Sequence, residues 1–179
     1  MDSDSVRQAL LLDYAGKVVI GSQHAPTSST GVVIQTFLPF PDYAMSAEVL
    51  DTPRLGKQRV EVLQILNVIH QIPTESGKPR GWGNHPAVRM WRGCELQLCE
   101  YGLTIVEEWR SRGYKDTCYG KISQHLEWAE GGNMLKPEWF GDIDFHRAHQ
   151  SNLLRKDPVH YGKYFKHVAP DIEYLWPVS

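Results

Sequence analysis

A chain of 179 residues that is 41% hydrophobic and 22% charged has the composition of an ordinary globular domain and enough length to bury one sizeable core. No apolar run approaches the roughly 18 to 20 residues of a membrane span, and the opening "MDSDSVRQALLLDYAGKVVIG" has neither the basic start nor the long apolar stretch of a signal peptide, so no membrane partner is expected. Cys94, Cys99 and Cys118 are an odd number without CxxC spacing, which argues against a disulfide framework and for a reducing, cytoplasmic setting.

The formal net charge of −2 conceals an uneven distribution. Residues 54–115 carry ten Lys/Arg against six Asp/Glu, and residues 145–167 carry five against one together with four histidines. The remainder carries four against fourteen. Two basic segments folded against each other would give one positive face on an acidic protein.

In chain order, residues 1–34 read as an extension, with a short apolar piece followed by the linker-like "GSQHAPTSSTG". "TFLPFPDY" is broken by proline and cannot be a helix interior. A helix is predicted from Tyr43 over "YAMSAEVLD", then a longer one over about 54–71, with Val60, Leu63, Leu66 and Val68/Ile69 near helical spacing. The Gly/Pro-rich loop "IPTESGKPRGWGN" ends it. A third helical segment is predicted over about 86–112, where Val88, Trp91, Leu98, Ile105 and Trp109 form one apolar stripe that stops at Gly113. "KISQHLEWAE" reads as a short amphipathic helix closed by Gly131-Gly132, and "DFHRAHQSNLLRK" as a helix ending before Pro158. The aromatic tail, "YGKYF" and then "EYLWPVS", is expected to pack down on the rest. Alternation over several strands is absent, so the expected class is mainly α: a single compact helical domain, residues 35–179, preceded by the extension 1–34.

Three stretches carry candidate chemistry. In "RLGKQRVE", Arg54, Lys57 and Glu61 share one helix face, whereas Arg59 points about 160° away from Lys57 at 100° per residue. A plain Lys57–Glu61 pair accounts for this spacing; so does a carboxylate set among phosphate-binding cations, where it would stay ionised and could move a proton. In "NHPAVRMWRG", Asn84 and His85 open a helix whose N–H groups suit phosphate, and Arg89 and Arg92 follow beside Trp82 and Trp91. An ordinary loop with a capping Asn84 explains the same residues. In "NLLRKDPVHYGKYF", Arg155, Lys156, Tyr161 and Lys163 suit a phosphate-binding end or a helix terminus favoured by its dipole. His146-x-x-His149 lacks a third ligand at a recognisable spacing, so no metal is expected.

Taken in order, "LDTPRLGKQRVE", "NHPAVRMWRGCELQLCEYGLTIVEEWRSRGYKDT" and "SNLLRKDPVHYGKYF" resemble the pyrimidine-dimer DNA glycosylase, or endonuclease V, family, especially its bacterial branch, over about residues 35–168. The resemblance implies an all-α enzyme of DNA repair that needs no cofactor. Such an enzyme flips a nucleotide out of double-stranded DNA, breaks the glycosidic bond of a damaged base and cleaves the abasic sugar by β-elimination. It implies Glu61 as the catalytic carboxylate, Arg54, Lys57, Arg59, Arg89 and Arg92 as phosphate or kink-stabilising contacts, and Tyr161 and Lys163 as an aromatic, basic tail beside the DNA. Asn84, His85, Arg155 and Lys156 join these expected DNA or phosphate contacts from the reading of their own stretches above. It also implies a cytoplasmic, nucleoid-associated setting.

In the family the attacking amine is the chain's own N-terminus, whereas here 34 residues precede Gln35. Processing near Ile34/Gln35, replacement of that amine by Lys57, and absence of lyase activity are the three alternatives. A non-catalytic DNA binder of the same fold, or an enzyme acting on a small nucleoside or other N-glycoside, are the competing functions.

Overall fold

The computed structural model describes residues 34–71, 81–129 and 135–178. Residues 1–33 of the expected extension, the loop 72–80 and Gly131-Gly132 lie outside the described residues, as does the side chain of Trp82. Seven α-helices follow in order among the described residues: α1 (Tyr43–Val49), α2 (Thr52–Gln71), α3 (Pro86–Arg89), α4 (Glu95–Ser111), α5 (Tyr119–Ala129), α6 (Ile143–Lys156) and α7 (Pro158–Tyr161). A single 3-10 turn, Gly81–Asn84, precedes α3, and no strand occurs among the described residues. The mainly α class expected from periodicity is the class observed.

Several helices begin where a side chain takes up their first orphan N–H groups. Asp42 accepts from Met45 N–H (2.8 Å) to start α1, Asp142 from Asp144 N–H (2.9 Å) to start α6, and Asp157 from His160 N–H (2.9 Å) to start α7. At α3 the cap is the His85 imidazole, accepting from Ala87 N–H at 3.1 Å, rather than Asn84.

The helix predicted over 86–112 is two helices. Gly93 sits at φ +82, a left-handed conformation that closes the turn after α3 and that side-chain-bearing residues avoid. The apolar stripe crosses this break undisturbed, because Val88, Trp91, Leu98, Ile105 and Trp109 are all buried.

α2 and α4 form the central pair, with α1 and α5 against α4 and α6 paired with α7. The α2–α4 crossing depends on two glycines. A Cβ on Gly102 would stand 2.5 Å from Val62 Cγ1, and one on Gly56 would stand 2.8 Å from the Trp109 ring. Leu55, Val62, Ile65, Leu66, Leu98 and Ile105 fill the space between, fully buried, each worth roughly 1.5 to 3 kcal/mol over exposure. Arg112 closes the far end, donating to the carbonyls of Leu50 (2.7 Å), Glu48 (3.0 Å) and Ala47 (3.2 Å) at the C-terminal end of α1.

The extended segment Gln35–Leu38 runs through this core, buried along its length. It has no strand to pair with, so side chains satisfy its backbone. Gln58 accepts the Phe37 N–H (2.9 Å) and donates to the Gln35 carbonyl (2.8 Å). His149 Nδ1 accepts the Leu38 N–H (3.0 Å), and His146 Nδ1 meets the Leu38 carbonyl (2.8 Å). Gln150 donates to the Pro39 carbonyl (2.7 Å), and Trp91 Nε1 donates to Thr36 Oγ1 (2.9 Å). The His146/His149 pair therefore clamps both backbone polar groups of one residue, Leu38. The aromatic tail packs down as expected, with Trp176 and Val178 against the core.

Candidate active site

Glu61 sits on the face of α2 that meets this threaded segment, and only 3% of it is exposed. Gln58 donates to its carboxylate at 2.5 Å, the amide N–H of Gln35 is a further donor to it, and Lys57 Nζ stands 3.7 Å away at the exposed edge. Desolvation outweighs these partners and raises the carboxyl from its ordinary value to about 7. Glu61 is thus poised to change protonation near neutrality, which suits a group that must both hold charge and move a proton.

The cations gather at the mouth of this site. Arg54 pairs with Asp51 and lies 5.6 Å from the centroid of the Tyr161 ring. Lys156, at the end of α6, rests its ammonium 5.8 Å from the centroid of the Phe37 ring. Its pKa is pushed down by partial burial and then by Arg54 and Lys57, while Glu61 pulls it up. Arg54, Lys57, Glu61 and Lys156 therefore belong to one electrostatic cluster, and the two basic segments of the sequence meet there.

Other expected site residues stand elsewhere or are engaged in the fold. Arg59 leaves the Glu61 face, pairing with Asp116 at 2.6 Å and lying 4.1 Å from the Trp109 ring centroid. Tyr161 is fully buried, its hydroxyl donating to Asp51 Oδ2 at 3.0 Å. Arg92 donates to the Gly83 carbonyl (2.8 Å), which shapes the turn holding exposed Asn84. His85, beyond capping α3, packs edge-on against Trp176 at 5.8 Å. Arg155 donates to the Pro170 and Ile172 carbonyls of the tail (2.7 and 2.8 Å). Arg89 and Lys163 are exposed, the latter 4.9 Å from the Tyr164 ring centroid.

Sequence reasoning missed the polar groups around Glu61: Gln58, Tyr101 and Tyr174. The Tyr101 hydroxyl lies 2.9 Å from both the Phe37 carbonyl and Gln58 Oε1. Both tyrosines feel the charge of Glu61, which adds to burial in pushing their hydroxyls up. Gln58 alone had a local signal, since it precedes Glu61 by three residues on the same helix. Two open hollows of about 340 and 390 Å³ lie around Phe165–Val168, and neither borders Glu61. Access to Glu61 therefore depends on the elements that cover it.

A model of the pyrimidine dimer DNA glycosylase family matches residues 34–120 of the chain. The matched stretch opens one residue before Gln35 and takes in Lys57, Gln58, Glu61 and helices α1 to α4, but neither Lys156 nor the tail. No curated protein and no solved structure matches the chain. The match supports a DNA-repair glycosylase role, with DNA as the substrate.

Proposed function

We propose that the chain excises a damaged or modified pyrimidine from duplex DNA, with Glu61 as the catalytic carboxylate and the nucleotide flipped out to reach it. The observation that carries this reading is the buried carboxyl of Glu61, held at about 7, with the backbone nitrogen of Gln35 directed at it. Breaking the glycosidic bond leaves positive charge on the sugar, which an ionised carboxylate in a dry site stabilises far better than water does. Arg54, Lys57, Arg89 and Lys156 would hold flanking phosphates and keep the distorted duplex in register.

The position of Gln35 bears on the source of the amine. Hydrolysis of the Ile34–Gln35 peptide bond would leave an α-amine beside Glu61, and α-amines titrate at about 7.7 to 8.0. Such an amine can attack C1′ as the base departs with the bonding electron pair. Glu61 would take the proton lost by the amine, leaving a Schiff base after ring opening. Removal of a C2′ proton then breaks the C3′–O bond by β-elimination. Lys57 Nζ, 3.7 Å from Glu61, is the second amine within reach of the same carboxylate.

Release of base and cleavage of strand from an irradiated duplex tests the reading. The wild-type chain is expected to produce both, and Glu61→Gln is expected to abolish them while duplex binding stays largely intact. A fully active Glu61→Gln variant would remove Glu61 from the chemistry. The kcat/KM profile is expected to rise as pH passes through about 7, where Glu61 ionises.

A further inference from the structure

The segment after α7 lays Tyr174 on His149 of α6, and the chemistry above leaves both polar groups unused. It is fastened to α6: the Ile172 N–H donates to Ser151 Oγ at 3.1 Å, and Arg155 holds the carbonyls of Pro170 and Ile172. Beyond this staple the Tyr174 ring lies on the His149 imidazole, with centroids 4.9 Å apart and a tilt of 35°, and Trp176 packs behind it at 4.9 Å. Tyr174 thereby stands within the field of Glu61, with the Gln35 side chain facing its hydroxyl.

That hydroxyl is buried and closes no hydrogen bond. His149 is completely buried. Its Nδ1 accepts from Leu38, so its proton sits on Nε2, and this N–H is also buried without a partner. Complete burial holds the imidazole at about 3, so it remains a neutral donor at physiological pH. The His149 Nε2–H is a buried donor with no acceptor, which weakens the free protein. The Tyr174 hydroxyl, on the ring lying against it, faces the Gln35 side chain without closing a hydrogen bond, within the field of Glu61.

Resting on the glycosylase reading above, we infer that the Tyr174 hydroxyl and the His149 Nε2–H receive the departing pyrimidine, with the tail as one wall of the base pocket. When the C1′–N1 bond breaks, its electron pair passes to the base and is shared with the O2 carbonyl. That oxygen can accept two hydrogen bonds as its charge grows. Donors fixed in advance at the site of developing charge lower the barrier without first having to reorganise. A neutral imidazole and a phenol, both high in their resistance to ionisation here, donate without transferring their protons, so the base leaves as a stabilised anion and is protonated by water.

Tyr174→Phe removes one oxygen and keeps the ring; His149 also holds Leu38, so its variants are less informative. Three readings of this variant are needed: thermal stability of the free protein, base release from an irradiated duplex, and strand cleavage of a duplex with a preformed abasic site. The expected result is unchanged or raised stability, base release slowed by about a hundredfold in kcat, and abasic-strand cleavage at the wild-type rate, because no base remains to leave. Equal slowing of both reactions, or no slowing of base release, would overturn the inference while leaving the role of Glu61 standing. A wild-type chain silent on both duplexes would instead overturn the glycosylase reading, and this inference with it.

Discussion

At Glu61 the folded chain binds a proton more tightly than the unfolded chain does, because burial raises the carboxyl from 4.5 to about 7. Its contribution to stability is fully present below 4.5 and is lost as pH rises through 7. Above that the ionised form costs the fold about 3 kcal/mol, at 1.36 kcal/mol per unit. Glu61→Gln should therefore be the more stable chain by about 3 kcal/mol at pH 8, with the difference vanishing near pH 4. Chemical denaturation of both chains at the two pH values checks this, and equal stability at pH 8 would contradict it. His149 acts in the opposite direction, since its depressed pKa removes stability as pH falls from 6.5 towards 3; being present in both chains, it cancels in the comparison. Lys57 is the main charge pulling Glu61 down, so Lys57→Met is expected to move the acidic limb of kcat/KM upward, read directly from the pH–rate profile. The shared face of Arg54, Lys57 and Glu61 was legible in "RLGKQRVE" from helical spacing alone. How deeply Glu61 is buried was not, because the segment covering it lies 26 residues earlier in the chain.

Between elements, the α2–α4 crossing and the threaded segment decide where that carboxylate sits. Gly102→Ala would drive a methyl to 2.5 Å from Val62 Cγ1. Val62 is β-branched and stiff on its helix, so the clash must be relieved by separating α2 from α4, at about 1 to 3 kcal/mol. A shifted denaturation midpoint measures this cost, and unchanged stability would show that the crossing is looser than drawn. Gln58→Leu leaves the Phe37 N–H and the Gln35 carbonyl without their partner, a loss of about 2 to 3 kcal/mol. It should also cut base release more than it cuts duplex binding, since Gln35 and Glu61 lose their common anchor. The helices themselves could be read from apolar period and from the glycines and prolines that bound them. The Gly93 break could not, because the buried stripe runs through it. The course of Gln35–Leu38 was also hidden: its partner His149 lies 111 residues from Leu38, and "TFLPFP" carries no local pattern that names such a partner.

Over the whole molecule, a net charge of −2 coexists with a local cluster of cations at the mouth of the Glu61 site. The two basic segments were legible in the sequence, but their meeting through Lys156, Arg54 and Lys57 joins residues about a hundred positions apart and exists only in the folded chain. If Arg54, Lys57, Arg89 and Lys156 each neutralise one phosphate, log affinity for duplex should fall against log salt with a slope of about −3 to −4. Arg89→Ala should shrink that slope by about 1 and weaken all duplex sequences alike. A titration over salt concentration checks both, and salt-independent binding would contradict the assigned face. None of the described helices is long and apolar enough to cross a membrane. The central claim, that Glu61 and the nitrogen of Gln35 form one reaction centre, is tested most directly by borohydride trapping on an abasic duplex followed by mass-spectrometric mapping of the adduct. The predicted result is a covalent adduct on the α-nitrogen of a chain beginning at Gln35. An adduct on a lysine remote from Glu61, such as Lys115 or Lys121, would contradict it.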